Sequence, residues 1–185
     1  MPLTPRAEVR RLVAPLLAVG AALLVAALVW PTERLETAAA GGSVPLLDIW
    51  LWGRVRSLSE LSTTHVDGSL GTLAVLATAT VLALVAGVLW LTAVRRQGQS
   101  RLGGTVAAVA VVGALAAAAV GLTVMTAGLG FGWYSPGEPT FTLTAVAAFP
   151  PVAIAVWAVA LVLMVVLLLR GGSGPDEAPD GASDG

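Results

Sequence analysis

His65 is the only histidine of the chain, and Asp67 two residues on offers it a carboxylate. Imidazole and carboxylate together can hold a metal or pass a proton, but a metal site takes three or four ligands. The other acids of that stretch, Glu33, Glu36, Asp48 and Glu60, are scattered, with no His-x3-His or comparable spacing. His65 therefore reads as a solvated or locally hydrogen-bonded histidine in Ser62-Thr63-Thr64-His65-Val66-Asp67-Gly68, where Asp67-Gly68 makes a turn. No Ser/His/Asp set, phosphate-cradling glycine loop or paired carboxylates can be assembled elsewhere. Cysteine is absent, which removes disulfides, thiolate metal ligands and thiol redox chemistry. The expectation is a chain without catalytic residues, metal or cofactor.

The elements around these residues explain the scarcity. The chain's 185 residues are 57% hydrophobic and only 11% charged, against about 25% charged in soluble domains. A net charge of −1 gives no reason to expect nucleic acid as a partner. Crossing a bilayer takes roughly 20 apolar residues, and four stretches qualify: 12–30, 70–94, 106–129 and 150–169. With no water in the bilayer to satisfy the backbone, each is predicted to be helical. Pro15 falls in the first turn of the first span, where its missing N–H costs little. That span is predicted to stay as an anchor, because its 19 residues exceed the roughly 7–15 of a signal-peptide core. The last apolar run extends from Phe141 to Leu169, too long for one crossing, and holds Pro150-Pro151. A span over 150–169 with Phe141–Phe149 as an approach segment, or one kinked longer helix, fits that pattern.

Arginine placement predicts the orientation. With the N-terminus inside, Arg6, Arg10, Arg11, Arg95, Arg96, Arg101 and Arg170 are cytoplasmic, and Arg34, Arg54 and Arg56 are outside. Both termini then lie in the cytoplasm of a cell whose plasma membrane the chain crosses four times. Residues 1–11 and 95–105 are cytoplasmic, and the acidic tail 170–185 has no core-forming residue and reads as disordered.

The outer connection 31–69 is the largest segment between spans. In it Leu47, Leu51, Val55, Leu58 and Leu61 recur at helical spacing, which predicts a short amphipathic helix over 45–62, lying on the membrane or packed on the bundle. The second outer connection, 130–149, carries Phe131, Trp133 and Tyr134 ahead of a Ser-Pro-Gly-Glu turn. These rings, with Trp30, Trp50 and Trp52, are candidate interfacial anchors.

Inside the spans there is no ionisable residue, which disfavours a proton relay or ion path within a single copy. The polar groups at depth are hydroxyls, Thr72, Thr78, Thr80, Thr123 and Thr126. Helices in lipid approach closely at small residues; Gly113, Ala117 and Gly121 form such a stripe and Gly87 adds another position. The stripe suits packing within the bundle, a second copy or a partner's helix.

The third span and the Gly128–Glu138 segment resemble small four-helix membrane proteins of high-GC actinobacteria, in which a third span ends in a glycine and aromatic cluster before a short turn. That resemblance covers about ten residues and the span count, and implies the architecture alone. Claudin-like proteins share the layout but carry a cysteine pair in the first loop, beside tryptophans such as Trp50-Leu51-Trp52-Gly53; the chain has none. The expected fold is an all-α membrane protein, a four-transmembrane-helix bundle with an amphipathic outer-loop helix. Its expected role is binding, as an accessory, assembly or scaffold subunit in contact with the lipid bilayer and a membrane-protein partner or further copies of itself. The other expectation is a component of an oligomeric transporter or small channel, lined by threonines.

Overall fold

The computed structural model describes residues 5–39, 42–58, 65–95, 100–128 and 140–170. Four long helices dominate: α1 (Pro5–Val29), α2 (Leu70–Arg95), α3 (Ser100–Gly128) and α4 (Phe149–Arg170). All four are long and apolar enough to cross a membrane. They form a ring in which each packs on its two neighbours, α2 on α3 most extensively and α3 on α4 least.

The helices are apolar all round, so hydrophobicity cannot choose the inward face; size does. In α2 the buried positions include Thr72, Leu76, Ala79, Ala83, Ala86, Trp90 and Ala93, with Thr80 and Gly87 beside them, and in α4 they are Pro150, Ala153, Trp157, Ala160, Met164 and Leu167. Steps of three and four alternate along both, the 3.5-residue repeat of helices inclined by about 20° and supercoiled to the left. Alanine fills six of those positions and lets the backbones approach, while the centre is packed by Trp157, Leu17, Leu24, Leu76 and Met164. Exposed valines and leucines, such as Val81, Val88, Val109 and Val159, cover the outside.

Two helix starts differ from the sequence reading. α1 begins at Pro5, so Arg6, Arg10 and Arg11 belong to the helix and Pro15 is interior to it, not in its first turn. Proline then removes the bond that residue 15 would donate to the carbonyl of Arg11. Next to that gap, the Trp90 indole of α2 donates to the Arg10 carbonyl at 2.9 Å. α3 likewise begins at Ser100, six residues before the expected span, and includes Arg101.

The larger correction is a β-sheet where an all-α fold was expected. Five strands, β1 (Glu33–Ala39), β2 (Gly42–Ile49), β3 (Val55–Ser57), β4 (His65–Val66) and β5 (Thr140–Leu143), lie in the order β4-β3-β2-β1-β5, every pair antiparallel. The amphipathic helix expected over 45–62 does not form: β2, a turn at Trp50–Gly53 and β3 occupy the described part of it. Gly53 takes φ of 81°, a conformation that favours glycine, and lets the hairpin close. The approach segment Phe141–Phe149 divides into β5, a 3-10 turn over Ala145–Ala148 and the first residue of α4. β1 pairs on one side with β2 and on the other with β5, where Leu35 stands opposite Phe141, 106 residues away, so both long connections are joined in one sheet at one end of the bundle.

Candidate functional site

The sheet and its seam with the helices hold seven of the fourteen described charged residues and the histidine. Successive side chains alternate across a strand, and the register sorts them by face. Thr142, Arg34, Asp48, Arg56 and His65 stand opposite one another across all five strands. The next row is Leu143, Glu33, Ile49, Val55 and Val66, on the other face. One face is thus polar and the other mainly apolar.

In the polar row Arg34 Nε donates to Asp48 Oδ1 at 2.9 Å. The Asp48 side chain is 13% exposed and that of Arg34 38%, so the pair is partly screened and its worth lies nearer a surface bridge than a buried one. His65 is exposed, with Nε2 3.7 Å from Asp67 Oδ1. Among the described residues no group of three His, Asp or Glu comes together as a metal centre would require.

The seam is made by tryptophan. A helix leaves its last carbonyls without partners, and α1 has no basic side chain in its last turn. Trp50 Nε1 donates to the Val29 carbonyl at 2.9 Å and Trp52 Nε1 to the Leu28 carbonyl at 3.1 Å. The two indoles cap α1 from the sheet. Arg54 lies over both rings, 5.2 Å from the Trp50 centroid and 5.9 Å from that of Trp52. Gly68 lets the chain pass against the Trp52 ring, and Ser69 N–H donates to the Trp52 carbonyl at 2.9 Å before α2 starts. Thr144 completes the seam, with its hydroxyl 2.8 Å from the Pro31 carbonyl. Trp50 and Trp52 were expected as membrane anchors; the structure gives each a hydrogen-bonded place on α1, while Trp30 stays exposed. Phe131, Trp133, Tyr134 and Arg96 lie outside the described residues, as does the tail beyond Arg170.

The fold perturbs the titration of Glu33. It shares the apolar-face row, and burial raises its carboxyl above the ordinary carboxylate range. A raised value means that the fold prefers the neutral acid. Its contribution is fully present below the unfolded value, about 4.3, and is lost as pH rises through the folded value. Glu33→Gln is therefore expected to raise the unfolding temperature at pH 8 and leave it unchanged near pH 4, as thermal unfolding in detergent would show. An equal gain at both values would contradict this assignment.

Within the bundle three threonine hydroxyls bond back to their own helices. Thr78 donates to the Ala74 carbonyl at 2.8 Å, Thr80 to Leu76 at 3.0 Å and Thr123 to Ala119 at 2.8 Å. Thr80 is buried but Thr78 is exposed on the outside, so the two do not line a common path. Of the small-residue positions, Gly121 is buried against α2, where an added Cβ would fall 2.6 Å from Leu76 Cδ2. At Gly113 it would lie 3.4 Å from Leu82 Cδ1, and at Gly87 nothing is nearer than 3.9 Å. Ala117 is half-buried. The stripe expected at every fourth residue is in fact a 3.5-residue face that runs through Ala107, Val111, Ala114, Ala118 and Gly121.

Inside the bundle an approach as tight as that of Gly68 to Trp52 lies at Gly20. Gly20 faces the Trp157 indole so closely that an added Cβ would overlap its ring, and Trp157 Nε1 donates to the Leu17 carbonyl at 3.1 Å in the core. No protein-family model matches the chain, and no curated protein matches it in sequence.

Proposed function

We propose that the chain is a multi-pass protein of the plasma membrane that works by binding, as a non-catalytic accessory, assembly or scaffold subunit of a membrane complex. The observation that carries this reading is the joining of both long connections into one sheet, capped onto α1 by Trp50 and Trp52. A platform fastened in this way presents a defined surface beyond the bilayer, and its occupant is a membrane-protein partner or another copy of the chain. The hydroxyls of Thr78, Thr80 and Thr123 support the same reading, since their hydrogen bonds are spent on their own helices.

Arginine distribution supports an orientation with the sheet outside and both termini in the cytoplasm. The absence of cysteine makes orientation simple to test. A cysteine introduced as Ser43→Cys is expected to react with an impermeant maleimide on intact cells, and Ser173→Cys only after the membrane is opened; the reverse pattern would invert the topology. The binding role is tested by crosslinking in native membranes followed by purification. The expected result is one or a few membrane proteins, or a multimer of the chain itself, recovered in near-stoichiometric amount. Recovery of nothing above background would overturn the reading.

A further inference from the structure

Arg34, Arg54 and Arg56 lie at the sheet end, against the bias that puts the other described arginines at the opposite end. The sheet gathers them. Asp48 stands opposite Arg34 on one side and Arg56 on the other, and Arg56 stands opposite His65. Alternation along the chain that enters β3 places Arg54 on the face of Arg56. The carboxylate of this row is already committed, since Asp48 is bonded to Arg34 at 2.9 Å, and Asp67 lies beside His65. Among the described residues no carboxylate is within ion-pair reach of Arg54 or Arg56. Arg54 Cζ lies 5.2 Å from the Trp50 ring centroid and 5.9 Å from that of Trp52, a cation–π placement that uses none of its N–H donors. Its height is fixed as well: the two indoles that carry it are bonded to the carbonyls of Leu28 and Val29, the last residues of α1.

We propose that Arg54 and Arg56 form a binding site for the phosphate of a lipid headgroup in the leaflet on the sheet side. The proposal rests on the reading that the four helices span a bilayer, because it is the end of α1 that brings Arg54 to headgroup level. A phosphodiester suits the pair: its two unbridged oxygens accept charge-assisted bonds from planar guanidinium groups, and Arg54 is placed over the two rings before the ligand arrives. A soluble phosphate offers the same oxygens. Position at the end of a span favours the lipid, whose chains lie along the exposed valines below.

The test uses the full chain purified in a maltoside detergent, with lipid retention read by native mass spectrometry. Phosphatidylglycerol is expected to bind, and a diacylglycerol of the same chains, which lacks the phosphate, to bind at least about tenfold more weakly. Arg54→Gln and Arg56→Gln are each expected to weaken phosphatidylglycerol about fivefold, as about one basic contact at a membrane surface is worth. Arg170→Gln, at the opposite end of the bundle, should leave it unchanged. Helical circular dichroism verifies that each variant is folded. Unchanged retention in both sheet variants would overturn the site, and so would equal binding of the diacylglycerol. Glycerol phosphate competing as well as the lipid would overturn the assignment to a lipid. Failure of the membrane reading itself would show separately, as release of the wild-type chain from membranes by an alkaline carbonate wash.

Discussion

Replacing Gly20 with alanine is expected to destabilise the bundle by about 1–3 kcal/mol, and replacing it with leucine to prevent its assembly. The reason is local. Even a single added carbon at Gly20 overlaps the Trp157 indole, and that ring cannot retreat without giving up its bond to the Leu17 carbonyl. α1 and α4 meet across this contact, so the clash forces either the helices or the tryptophan to move. Gly87→Ala is the matched comparison: its new methyl group meets only ordinary contacts at 3.9 Å and exchanges glycine for a better helix former, so stability should hold or rise by up to about 1 kcal/mol. The two variants can be compared by unfolding in mixed detergent. Combining Gly20→Ala with Trp157→Leu should cost less than the sum of the separate changes, because the smaller side chain leaves room for the methyl group. Equal tolerance at Gly20 and Gly87 would show that Trp157 does not sit where the structure places it.

Trp52→Ala is the second large change, expected to cost about 2–4 kcal/mol through the loss of ring packing and of one cap bond. Trp52 is where three parts of the fold meet: its N–H caps α1, its ring lies against Gly68, and its carbonyl accepts from Ser69 ahead of α2. Trp52→Phe retains a ring but no donor and should cost about 1 kcal/mol. Hydrogen exchange separates a local from a global effect. Amides of β1, β2 and β3 should lose protection in Trp52→Ala while those in the middle of α2 and α3 keep theirs. Uniform loss along the chain would mean that the sheet and the bundle unfold as one unit.

The spans were legible because bilayer thickness imposes a length, and composition alone reveals a stretch that long. Which face of each span turns inward was not, since Val, Leu and Ala are equally apolar in lipid and the decision falls to size and fit. Gly20 illustrates the gap: an isolated glycine in an apolar run carries no sign of the tryptophan, 137 residues later, that will lie on it. The sheet was hidden for a different reason. Ile49 pairs with Val55 and Leu47 with Ser57 around a turn near residue 52, so apolar positions on either side recur four residues apart and imitate a helix. Trp-Gly-Arg at the turn was the available contrary signal, for a glycine inside an apparent amphipathic helix marks a break. In β5, Thr140-Phe141-Thr142-Leu143 alternates with β-branched and aromatic residues, a strand pattern concealed by the long apolar run that follows it. The absence of cysteine excludes a disulfide in the first connection but not the sheet, which Trp50, Trp52 and the Arg34–Asp48 pair fasten without one. Of the candidate site, the arginines and tryptophans could be named from the sequence, but their convergence depends on a register that only the folded chain displays.

That register is also the most direct test of the claim that both long connections form one sheet. Leu35 and Phe141 are partners across β1 and β5, whereas Leu35 and Leu143 are two residues out of step. In a chain without native cysteine, Leu35→Cys with Phe141→Cys should oxidise readily to an intramolecular disulfide, seen by mass spectrometry as a peptide joining the two segments. Leu35→Cys with Leu143→Cys should do so far more slowly. Equal yields from both pairs, or none from either, would contradict the joined sheet and with it the platform on which the proposed binding role stands.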